Sequence, residues 1–222
     1  MTDPLRRADS PADAAAAPPR ALGEPRPPEV VELAQALIHT RQTLLPKRLG
    51  APGPDAAQTQ AILAAAAQAP DHHELTPWRL VLVPEAARSA LGDAFAAALA
   101  ERDPDATPEQ LAQARDKAQH APLVLLAVVR LRDNDAEIEP HERIVSAGCA
   151  LQNMLLMAHA QGFGASLTSG KALASAPLRR LFALGEHEQA LCFINIGTVV
   201  KGKRARVRPR VADYVSTLNV PA

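Results

Sequence analysis

From about Glu142 to Ala160 the chain is apolar on nearly every face of a helix, and Gly162 and Gly164 close the run. Such a helix cannot lie on a surface; it has to be buried between other layers. The rest of the chain must supply those layers. Leu123 to Val129, a continuous apolar run behind Pro122, reads as a central strand covered on both faces. Arg79 to Val83, stopped by Pro84, and Leu191 to Ile196, turned by Gly197, read as further strands. A helix is expected from Glu29 to before Pro46, with Val30, Leu33, Ala34, Leu37 and Ile38 on one stripe, and a second from Asp55 to Ala67, stopped by Pro70. Glu85 to Leu99 and Pro108 to His120 carry broad polar faces and read as a solvent-facing helical excursion. Ala165 to Ser169 reads as a short strand or loop, and Pro177 to Leu184 as a short helix. Few strands, separated by helices and needing at least one βα crossover, give an α+β class: a mixed, mostly antiparallel sheet flanked by helices.

Met1 to Pro28 is dominated by Ala, Pro, Arg and Asp and reads as a disordered leader, with one domain over residues 29–222. The 222 residues hold 24 basic and 24 acidic side chains, so no global field recruits nucleic acid or an anionic membrane. Aromatics are 3%, too few for a base-stacking surface. No apolar run approaches the ~20 residues of a membrane span, and Met1 to Arg7 has no apolar core of a secretory signal behind it. A cytoplasmic protein is expected. Cys149 and Cys192 lie in apolar runs and read as two reduced, buried thiols.

The usual catalytic constellations are missing. There is no Gly-x-Ser-x-Gly elbow, no phosphate loop ending in Gly-Lys-Ser/Thr, and no Gly-x-Gly-x-x-Gly. His141-Glu142 and His187-Glu188 lack the second His of a zinc helix, and His72-His73 has no third or fourth ligand, so no metal site is expected. A chain without an acid, base or nucleophile set can still do chemistry if a bound redox cofactor carries it.

Three stretches point that way. Thr40-Arg41-Gln42-Thr43 follows the first helix; Ala69-Pro70-Asp71-His72 with Pro77-Trp78 precedes the first strand; Ser146-Ala147-Gly148-Cys149-Ala150 leads through Gln161-Gly162-Phe163-Gly164 to Ser169-Gly170. In order and spacing these stretches, with Ile196-Gly197-Thr198, resemble the FMN-dependent nitroreductase family, and within it the short bacterial NAD(P)H nitroreductase branch. The resemblance covers about Leu33 to Val215. It implies an intertwined homodimer with FMN sites at the subunit interface. It also implies an enzyme that takes hydride from NAD(P)H and reduces nitroaromatics, quinones or related acceptors by a ping-pong mechanism. No side chain is then a catalytic residue, because the flavin carries the chemistry.

The resemblance assigns FMN contacts to Arg41, Gln42 and Thr43, to Gln68 and His72, and to Leu167, Thr168 and Ser169. Arg206 and Arg208 in the basic tail are assigned to its phosphate, and Met157, Ala158, His159, Ala160, Gln161 and Gly162 to NAD(P)H. Planar, always-charged arginines suit a phosphate. Gln42 stands where the family carries a second Arg, and Thr43 where it carries Ser. Other readings stay open: Gln68 as an exposed helix residue, His72 as a loop cap, Trp78 as a core aromatic, and the tail as a solvated basic segment. The alternative function is a non-catalytic flavin-binding or interaction protein of the same fold.

Overall fold

A computed structural model describes residues 26–133, 137–204 and 206–219. The chain divides after Ala36 into two compact units. Of the first unit, the described part is the start of α1 (Pro28–Thr40); the expected leader falls almost wholly outside the described residues. No α1 residue is buried, and Val30, Val31, Leu33 and Ile38 are all about half exposed. The apolar stripe read from the sequence is present, and its large side chains are exposed among the described residues.

The second unit is built on a five-stranded sheet. The strands are β1 (Leu49–Gly50), β2 (Trp78–Leu82), β3 (Leu123–Arg130), β4 (Gly164–Thr168) and β5 (Glu188–Val199). The helices are α2 (Ala56–Ala66), α3 (Arg88–Arg102), α4 (Pro108–Asp116), α5 (Pro140–Ala160) and α6 (Ala176–Leu181). The order is β1-β5-β3-β2, and β4 also pairs with β5. Every ladder is antiparallel. Because β3 and β4 each run antiparallel to β5, they are parallel to one another, and α5 makes the crossover between them. Proline starts several of these helices, at Pro28, Pro108 and Pro140, where a missing N–H costs nothing. Reciprocal capping boxes at Asp55 and Thr107 fix the starts of α2 and α4.

Alternation along the central strands feeds two cores. On one face Leu125, Ala127, Ile194 and Ile196 meet Ile62 of α2 and Leu151, Met154 and Ala158 of α5. On the other Val124, Leu126, Val128 and Phe193 meet Leu91 of α3 and Leu178 of α6. This corrects the reading of α3 as a solvent-facing excursion. It is a core layer whose buried stripe is mostly small, Gly92, Ala94, Ala96 and Ala98 beside Leu91, and small residues pack closely without a strong apolar signal. α5 is less completely enclosed than its composition suggests, since Ile144 and Val145 are exposed while Arg143 is buried.

Two glycines expected to end elements do something else. Gly164 opens β4, where an added Cβ would come within 2.7 Å of Leu49. Gly197 lies inside β5, which continues to Val199; a Cβ there would sit 2.6 Å from the Pro122 side chain. Gly162 does end α5, at φ +85. Both cysteines are free; Cys192 is buried, which pushes its thiol up to about 11, whereas Cys149 is only half-buried.

Arg79 on β2 and Glu188 on β5 form a two-point ion pair, Nε–Oε1 at 2.7 Å and Nη2–Oε2 at 2.8 Å. That pairing holds the Glu188 carboxyl at about 2 against an ordinary 4.5. A depressed carboxylate stabilises the fold above its unfolded value and loses that contribution as pH falls from 4.5 towards about 2. Glu188→Gln is therefore expected to cost about 1–2 kcal/mol at neutral pH, a figure discounted for the exposed Arg79. The cost should vanish near pH 2; urea melts of both proteins across that range check it.

Candidate functional site

Where α1 ends, the chain turns through Arg41 to Lys47 along the side of the sheet. Thr43 bridges to Ala165 and the Leu44 N–H donates to the Ala165 carbonyl at 3.0 Å, so this segment is fastened to β4. It borders two cavities in succession. Arg41, Gln42 and Leu44 line one of about 300 Å³, whose other walls include His159, Gly162, Phe163 and Lys203. Leu45, Pro46 and Lys47 line a second of about 520 Å³. The larger volume is in the usual range for a small-molecule pocket.

At the first cavity Arg208 is tied to the backbone of Arg41. Arg208 Nη2 donates to the Arg41 carbonyl at 3.2 Å. The Arg41 guanidinium is pulled below the ordinary arginine value, first by burial and then by Arg208. Among the described residues neither arginine has an acidic partner. Two neighbouring cations with no carboxylate among the described residues give this place a positive field. Thr40 Oγ1 and His159 Nε2, 2.7 Å apart, tie the end of α1 to the end of α5 at the same place.

The larger cavity has apolar walls, Leu91, Phe95, Leu99, Val124 and Phe193, and a polar floor where β4 meets β5. Buried Asn195 donates from Nδ2 to Thr168 Oγ1 at 3.0 Å. Ser166, opposite Asn195 in the register, keeps a buried hydroxyl with no hydrogen-bond partner among the described residues. Thr168, Ser169, Gly170 and Lys171 form one rim, and Lys117 and His120 another. The second rim is set by Arg88. This buried guanidinium donates to the carbonyls of Val83 at 3.0 Å, Ala118 at 2.8 Å and Pro122 at 3.1 Å, pinning the turn that carries Lys117.

The expected site residues do not all converge. Arg41, Gln42, His159 and Gly162 share the smaller cavity, with Arg208 beside Arg41. Thr168 and Ser169 line the larger one. Thr43 is exposed, in its bridge to Ala165. Leu167 points to the opposite face of β4 from Thr168 and is 37% exposed. Ala158 is fully buried in the core, and Met157 packs against it. Ala160 is exposed, and Gln161 keeps a buried, unpartnered Oε1.

Gln68, His72 and Arg206 are exposed and line neither cavity. His72 Nδ1 instead pairs with Glu142 Oε2 at 2.9 Å, and Trp78 Nε1 donates to Ser146 Oγ at 3.3 Å. The two motif regions, far apart in sequence, thus meet where α5 begins. Lys47, Arg102, Lys117 and Asn195 were not anticipated. Only Asn195 left a signal, as a lone amide inside an apolar strand.

The sequence model of the nitroreductase family matches residues 49–198. A provisionally named NAD(P)H nitroreductase of Haemophilus influenzae is 34% identical over 180 residues, covering 81% of this chain and 95% of that protein. A similarly named protein of Escherichia coli K12 is 32% identical, over 74% of this chain and 86% of its own length. Among solved structures, a nitroreductase-like protein of Bacillus cereus superposes with a TM-score of 0.70 at 18% identity, over 84% of this chain and 95% of that one. The FMN-dependent nitroreductase of Mycobacterium smegmatis, solved with NADPH, gives 0.65 at 17%, over 86% and 100%. The structural likenesses speak to the fold, and the family match together with the H. influenzae relative speaks to descent: the chain belongs to the nitroreductase family.

Proposed function

We propose that this chain is an FMN-dependent oxidoreductase that takes hydride from NAD(P)H and reduces nitroaromatics, quinones or related acceptors, working as a homodimer. One observation carries the reading: Arg41 and Arg208, without acidic partners among the described residues, stand at one end of the Arg41–Lys47 segment, and an apolar cavity of about 520 Å³ with a polar floor stands at the other. A phosphate suits the first and a flat heterocycle the second. The M. smegmatis neighbour, FMN-dependent and solved with NADPH, lends the cofactor and the reductant by similarity.

In this reading Arg41 and Arg208 hold the FMN phosphate. Thr168, Asn195 and the backbone around Ser169 and Gly170 would hold the polar edge of the ring, and Lys117 would add positive charge to the same cavity. When bound, FMN supplies two-electron acceptance and delivery. The protein orients both substrates in one cavity and keeps bulk water from its apolar walls. Since one cavity serves both substrates in turn, turnover is ping-pong. The exposed stripe of α1 and the exposed Val207 and Leu218 of the tail are the surfaces a second copy would cover.

The purified protein is expected to show the two visible bands of oxidised flavin, and to oxidise NADH or NADPH beyond one equivalent per flavin only when an acceptor is present. A colourless protein that takes up no added FMN would contradict the proposal.

A further inference from the structure

The larger cavity carries a charge pattern that a neutral acceptor does not explain. Lys47, Arg102, Lys117 and Lys171 all line it, brought from four separate segments of the chain. Among the described residues no Asp or Glu lines it. Among the described residues none of these four cations forms an ion pair. His120, the fifth basic group on the rim, is answered by Asp116, whose carboxylate lies 2.8 Å from its Nε2 but does not line the cavity. The chain as a whole is balanced, 24 basic against 24 acidic residues, so the local excess is not a reflection of composition. Four cations without acidic partners around apolar walls give the cavity a local positive potential, which an anion on a flat apolar body would meet.

We propose that the acceptor reduced at this site is an aromatic anion: a flat nitroaromatic or quinone ring bearing a carboxylate or sulfonate. The ring lies against Phe95 and Phe193, and Arg102 and Lys47 at the mouth take its charged group. This rests on the reductase reading given above. For a nitrobenzoate the net step balances as nitro group plus NAD(P)H plus one proton giving nitroso group, NAD(P)⁺ and water. The hydride supplies both electrons and one hydrogen of that water.

The test compares 4-nitrobenzoate with 4-nitrobenzamide, which has nearly the same shape and no charge, on the FMN-loaded protein. The kcat/KM for the anion is expected to exceed that for the amide by roughly tenfold or more, and the gap to narrow as salt rises from about 0.02 to about 0.5 M. The double variant Lys47→Gln, Arg102→Gln should lower the anion-to-amide ratio by roughly tenfold. Calorimetric binding of the same two compounds to the oxidised holoprotein, with no nucleotide, probes the anion site independently of turnover. Turnover of both compounds with equal kcat/KM and equal affinity overturns the anion proposal and leaves the reductase reading standing. Selective binding of the anion without turnover of either compound supports the anion site and counts against the reductase reading. Equal or absent binding of both compounds overturns the anion proposal whatever the turnover.

Discussion

Arg41→Ala is expected to weaken FMN binding at least tenfold and to leave the flavin-free protein as stable as before. The two halves of that result have one cause. Among the described residues no carboxylate pairs with Arg41 or Arg208, so in the empty protein the Arg41 charge gives the fold no support. Its value appears only when an anion arrives. A charge-assisted contact is then worth about 1.5–3 kcal/mol, which is roughly a ten- to hundredfold change in affinity. Arg210→Ala is the control. That guanidinium already has a partner in Asp213 at 3.1 Å and is exposed, so its loss should change flavin affinity by less than about threefold. Fluorescence titration of FMN onto the three apoproteins, beside their melting curves, separates the two roles. Equal affinity for Arg41→Ala and Arg210→Ala would reduce Arg41 to a cation at a helix end.

Arg143→Met should cause the largest loss of stability of any single change named here, about 3–5 kcal/mol. The Arg143 side chain is wholly buried. Its Nη1 and Nη2 meet Asp133 at 2.9 and 2.8 Å, and its Nε donates to the Ile138 carbonyl at 3.1 Å. Removing the guanidinium takes the two short contacts from a largely buried carboxylate, whose Arg130 neighbour is at 3.9 Å, and the Nε donor from the Ile138 carbonyl, and nothing of the desolvation already incurred is recovered. Adding Asp133→Leu to the variant should restore part of the loss, because the buried carboxylate that lost its two short contacts goes too. Urea unfolding at neutral pH measures both. A loss under about 1 kcal/mol for Arg143→Met would mean that water reaches the pair freely.

Most of the architecture can be read from the sequence because its strongest signals are also its largest burials. The run from Leu123 to Val129 lies within a central strand, and the segment after His141 is the crossover helix. The burial of α3 escapes such a reading because alanine and glycine bury well without looking apolar in a periodic pattern. β1 is two residues long and owes its strand conformation to pairing with β5, a long-range contact that no local pattern encodes. The site divides along the same line. Arg41, Gln42, Thr168 and Ser169 lie in contiguous stretches with a recognisable order, and each borders a cavity. Lys47, Arg102 and Lys117 come from separate polar turns and helix ends, where a cation is ordinary. Only the folded arrangement, with Arg88 fixing the Lys117 turn, gathers them into one place. Gln68 and His72 rest on resemblance alone, and in this chain they stand on exposed ground away from both cavities.

The most direct measurement is anaerobic stopped-flow mixing of the FMN-loaded protein with NADH and, separately, NADPH, with no acceptor present. The flavin absorbance is expected to bleach with at least one nucleotide in a single turnover and to return when a nitroaromatic or quinone is added afterwards, as ping-pong use of one cavity requires. An FMN-replete protein that neither nucleotide bleaches would contradict the oxidoreductase account and leave a flavin-binding protein without turnover.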